Sequence, residues 1–118
     1  MTDDAMPTPE IRPAPGVRVV RAADAVIAES ANALESRLSE DDAGMIWLPR
    51  GEAGEPFLEP TEATFELPGL GHARLLDVIG VSASLHGAAW ILERPAKGAE
   101  ALADHIAFDP EQVTLERL

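Results

Sequence analysis

A chain of 118 residues, 46% of them hydrophobic, has the length and apolar content of one folded domain, which sets intrinsic disorder aside. It contains no cysteine, which excludes disulfides and thiolate-held metals and agrees with a reducing, cytoplasmic setting. Its 21 acids against 9 bases give a net charge of −12, a field that repels a phosphate backbone and argues against nucleic acid as a partner.

Residues 1–9 carry Pro7 and Pro9, which deny helix, and read as a flexible arm with none of the features of a secretory signal. A single domain is expected over residues 10–118. Ile11-Arg12-Pro13 suits a short edge strand, where proline is tolerated. Val17 to Arg21 reads as a strand and Ala25 to Ala28 as its hairpin partner, with a turn at Ala22-Ala23-Asp24. Ser30 to Glu35 suits either a short strand or a helical turn. Ser39 to Gly44 is a loop, Met45 to Leu48 a strand stopped by Pro49, and Arg50 to Pro56 a second loop. Phe57-Leu58 is an isolated apolar pair. Ala63 to Leu67 alternates and breaks at Pro68-Gly69-Leu70-Gly71, where positive φ is expected at Gly69 or Gly71.

Ala73 to Ile79 follows as a strand, Gly80 to Gly87 holds a turn and the start of the next strand, and Ala88 to Leu92 completes that strand. Residues 98–104 have Ala99, Leu102 and Ala103 at helical spacing and predict one short helix. His105 to Phe108 and Val113 to Leu118 close the chain as strands. The sum is a mainly β fold without βαβ repetition. No apolar run approaches the length of a membrane-spanning helix, so no membrane is expected as a partner.

Five pieces in order carry a resemblance. They are Ile11-Arg12-Pro13-Ala14-Pro15-Gly16-Val17-Arg18-Val19 with Val26-Ile27-Ala28-Glu29-Ser30; Trp47-Leu48-Pro49-Arg50; Phe57-Leu58-Glu59-Pro60-Thr61; Ala88-Ala89-Trp90 through Pro95; and Ile106-Ala107-Phe108-Asp109-Pro110 with Val113. Together they make the chain similar to the bacterial family called domain of unknown function 427, also labelled nucleotidyltransferase. The resemblance spans residues 10–118 and implies a β-tent, in which two small antiparallel sheets meet at an angle, as in methionine sulfoxide reductase B and the thalidomide-binding domain of cereblon.

Relatives carry a Cys-Pro-aromatic-Lys-Gly-x-Ala-x-Tyr-Trp motif in mid-chain. Here that stretch is Leu67-Pro68-Gly69-Leu70-Gly71-His72-Ala73-Arg74-Leu75-Leu76. Pro68, Gly71 and Ala73 remain, while the cysteine and lysine positions hold Leu67 and Leu70. A thiolate or amine nucleophile is therefore absent from this stretch. Some β-tent proteins hold zinc through cysteines, a metal this chain has no thiolate to bind. No cofactor is expected.

The candidate site residues are Trp47, Arg50, His72, Arg74 and Trp90. In one β-tent relative tryptophans cage a cyclic imide. By that resemblance Trp47 and Trp90 on neighbouring strands would wall an apolar slot, with Arg50 as a charged anchor at its mouth. The alternative is that both tryptophans are core and Arg50 pairs with an acid such as Glu52. His72 follows the Pro68–Gly71 loop, where it suits a general base for a bound ligand, and Arg74 joins it from the loop side.

Neither His72, His86 nor His105 has metal-ligand spacing, and no Gly-x-Ser-x-Gly surrounds Ser82 or Ser84. Residues 35–66 hold nine acids against Arg37 and Arg50, the pattern of a solvated acidic face without a calcium-loop motif. The leading expectation is a non-catalytic module for a small anionic or polar-headed ligand. The alternative is a structural or interaction module that pairs its strand edges with a second copy, as a homo-oligomer, or with a basic partner. Nucleotidyl transfer follows from the family label alone.

Overall fold

The computed structural model describes residues 8–23, 25–80 and 84–118. Among the described residues ten strands form two antiparallel sheets. The larger contains, in spatial order, β1 (Glu10–Pro13), β4 (Leu34–Arg37), β5 (Met45–Pro49), β9 (His105–Phe108), β8 (Ser84–Pro95), β7 (Gly71–Ile79) and β6 (Leu58–Leu67). The smaller is β10 (Thr114–Arg117), β2 (Arg18–Ala22) and β3 (Ala25–Ser30). The mainly β, two-sheet expectation thus holds, with the large sheet at seven strands.

Burial on both faces organises the large sheet. Consecutive residues point to opposite sides of a strand. In β5 Trp47 and Leu48 are both completely buried, and in β9 Ile106, Ala107 and Phe108 are all buried. Such runs are continuous in hydrophobicity because neither side meets water. On the inner face Leu48, Leu76, Val78, Ala89, Ile106 and Phe108 pack with Val20, Ile27 and Ala28 of the small sheet. On the outer face Trp47, Ala73, Leu92 and Ala107 pack beneath Leu70, Ala99 and Leu102. Trp47 Nε1–H donates to Ser36 Oγ at 3.0 Å inside this second core. Proline stands in both edge strands of the large sheet, Pro13 in β1 and Pro60 in β6, where its missing N–H blunts further pairing.

Several expectations change in detail. The helix expected over residues 98–104 is a single 3-10 turn, Glu100–Leu102. Gly98 at φ +92° precedes it and Asp104 at φ +61° follows it, leaving too little chain to nucleate an α-helix. Phe57-Leu58 and Ala63–Leu67 are not separate pieces: Leu58 to Leu67 is one strand, with a register shift between Pro60 and Thr64. The ambiguous segment after Ser30 is strand from Leu34 onward. The 50–56 loop is built of two 3-10 turns, Arg50–Glu52 and Glu55–Phe57. Gly69 and Gly71 both take positive φ, at +80° and +134°. The arm's residues 1–7, Asp24 of the first hairpin turn and residues 81–83 of the turn before β8 lie outside the described residues.

Candidate functional site

The small sheet covers only part of the inner face. Beside it Leu58, Leu76, Ile91 and Ile106 extend the same apolar surface into an open cleft of about 730 Å³. Its walls are the 3-10 turns at 50–57, the start of β6, the middle of β7, the C-terminal end of β8, and Ala103-Asp104 before β9. Arg50 and Arg74 both line it.

Arg50 reaches the rim because Pro49 ends β5 there and the Arg50 N–H donates to the Asp104 carbonyl at 2.8 Å. A latch fixes the turn. The Ser30 hydroxyl donates to Glu52 at 2.5 Å, and the Asn32 amide donates to both oxygens of the same carboxylate at 3.2 and 3.3 Å. Ala53 is completely buried beneath it. Gly54 sits at φ +75°, and a Cβ there would lie 2.3 Å from the Ile27 carbonyl of β3. Only glycine allows this close approach. Arg50 Nε then donates to Glu55 at 2.7 Å, so Arg50 does pair with an acid of this segment, Glu55, while the latch occupies Glu52. That bond, followed by the Glu55 charge, raises the Arg50 pKa above its ordinary value.

Arg74 is held by a β-bulge. His72 pairs with Arg94 and Ala73 with Leu92, so Glu93 is the extra residue of β8. The bulge brings Glu93 to Arg74, whose Nε and Nη2 donate to its two oxygens at 2.5 and 3.1 Å. Arg74 Nη1 donates in addition to the Thr61 carbonyl at 2.8 Å. The bond to Glu93 raises the Arg74 pKa, and the same bond holds the Glu93 carboxyl below the usual range.

The five candidate residues therefore separate. Arg50 and Arg74 share the cleft. Trp47 is completely buried, and Trp90 lies on its side of the sheet, both in register with Ala107. Trp90 meets the Phe65 ring edge-on, with centroids 5.8 Å apart and planes at 87°. Its indole N–H is buried and finds no hydrogen-bond partner among the described residues. Strand alternation is the reason: Leu48 and Ile91, next in sequence to the tryptophans, belong to the cleft's side. His72 is on the Arg74 side but is hydrogen-bonded to Glu66, outside the cleft lining.

The other histidines are dispersed. His86 lies 3.5 Å from Asp77, and His105 Nδ1 donates to the Ala103 carbonyl at 2.9 Å. Among the described residues no three His, Asp or Glu side chains cluster to hold a metal ion. The carboxylates Glu55, Glu93 and Asp104 were not singled out by sequence reasoning. Ile91 and Glu93 alternate to one side of β8, but only the bulged register shows that Glu93 meets Arg74.

Fold and cleft together define a small antiparallel β domain with an apolar floor and a charged rim. The chain belongs to the family described as Domain of unknown function (DUF427), whose sequence model matches residues 10–117. No curated protein matches it.

Proposed function

We propose that this domain is a small-ligand-binding module and that its site is the cleft between the 50–57 turns, the middle of β7 and the C-terminal end of β8. The ligand has an apolar body, seated on Leu58, Leu76, Ile91 and Ile106, and a polar head at the rim. The observation that carries this reading is the convergence of Arg50 and Arg74 on one apolar floor from separate segments of an acidic chain. A concave apolar surface with a few convergent polar groups is the usual form of a small-molecule site. The volume, about 730 Å³, lies within the range for drug-sized ligands.

A thermal-shift screen of a broad metabolite panel tests it, run on the wild type, Arg50→Ala and Arg74→Ala. Stabilisation of the wild type that falls in both variants is expected. No stabilised compound, or equal response from the variants, overturns the reading.

The second reading, an interaction module, draws support from one observation. β10 is an edge of the small sheet, whereas β3 at the other edge is approached by the Gly54 turn. Light scattering across a concentration series tests whether copies pair there. A constant monomer mass removes self-pairing.

A further inference from the structure

The charge balance of the cleft narrows the ligand class, a step that rests on the proposed function. Two guanidiniums, Arg50 and Arg74, share the rim with three carboxylates, Glu55, Glu93 and Asp104. Each arginine is already engaged, Arg50 with Glu55 at 2.7 Å and Arg74 with both oxygens of Glu93 at 2.5 and 3.1 Å.

Arg50 uses only its Nε–H on Glu55, so its Nη groups can take a carboxylate with Glu55 in place, but a purely anionic ligand adds its charge to a rim whose carboxylates already outnumber its guanidiniums. A purely cationic ligand meets carboxylates whose own arginines repel it. A zwitterion adds no net charge to that rim. Its carboxylate accepts hydrogen bonds from the Arg50 Nη groups, and its ammonium donates to Asp104. Both contacts are charge-assisted and leave the Arg50–Glu55 and Arg74–Glu93 pairs in place. We infer that the cleft binds an apolar zwitterion, a free amino acid or short peptide with an α-ammonium, a carboxylate and an apolar side chain.

The test is a set of titrations of the full chain, followed by amide NMR shifts at Arg74, Ile91 and Ile106. The compounds are L-phenylalanine, L-leucyl-L-leucine, N-acetyl-L-phenylalanine as the anion, and phenethylamine as the cation. At least one zwitterion is expected to half-saturate at a concentration about tenfold or more below either singly charged compound, the scale of one charge-assisted hydrogen bond. Which zwitterion binds more tightly separates the amino acid from the peptide.

Equal or tighter binding of the singly charged compounds overturns the inference and leaves the cleft as a ligand site. Silence from all four overturns it as well, and the metabolite panel then decides the proposed function on its own. In Glu55→Gln/Glu93→Gln the guanidiniums outnumber the remaining carboxylate and the preference is expected to reverse, with N-acetyl-L-phenylalanine gaining at least tenfold over wild type. An unchanged preference in that variant refutes the charge balance of the rim as its cause.

Discussion

The two tryptophans have opposite hydrogen-bonding states, and substitution to phenylalanine separates them. Trp47 donates to the buried Ser36 hydroxyl. Trp47→Phe leaves that hydroxyl without its donor and opens a void, so a loss of about 2 kcal/mol is expected in urea unfolding. The Trp90 N–H is buried without a partner among the described residues. Trp90→Phe removes an unsatisfied donor and is expected to change stability by less than about 1 kcal/mol. It is also expected to leave ligand-induced stabilisation intact, because Trp90 faces away from the cleft. Asp42 supplies a pH test. Backbone N–H groups of Gly44 and Leu38 donate to its carboxylate and hold its pKa below the usual range. A lowered folded-state pKa contributes stability above the unfolded value that disappears as pH falls through the folded one. Asp42→Asn is therefore expected to reduce stability at neutral pH and to flatten its fall in acid. Parallel pH curves for wild type and variant would contradict this.

At the scale of elements, the turns at 50–57 decide whether the cleft exists, and Gly54 decides whether they sit against β3. Gly54→Ala places a methyl group 2.3 Å from the Ile27 carbonyl at a positive φ. A cost of about 1–3 kcal/mol is expected, together with loss of the thermal response to cleft ligands. Strand positions were legible because alternation and proline punctuation survive in short segments, as in Val17–Arg21 against the observed β2. Arg50 was legible through the resemblance, as the anchor of a tryptophan slot, and Arg74 through its place just after the Pro68–Gly71 loop. Trp47 and Trp90 pointed to the other face because the presence of an aromatic does not tell which side of a strand it takes. Glu93 was illegible for a different reason. Its meeting with Arg74 depends on a one-residue bulge, and register is set by pairing between strands, not by local composition. The helix over 98–104 failed because helical spacing says nothing of the left-handed residues that flank it.

Across the whole molecule the large sheet divides its labour by face. The outer face is closed by Leu70, Ala99 and Leu102 over Trp47, and the inner face is shared by the small sheet and the cleft. Of the chain's 9 bases, Arg50 and Arg74 line this cleft, where Glu55, Glu93 and Asp104 balance and outnumber them. The direct measurement is a map of backbone amide and indole N–H shifts as a compound selected by the thermal screen is titrated in. Saturable shifts at Arg74, Ile91 and Ile106, with the Trp47 and Trp90 indole signals unmoved, are expected. Shifts centred on the Trp90 indole and Phe65, with Arg50 and Arg74 silent, would place the ligand on the opposite face and contradict the account.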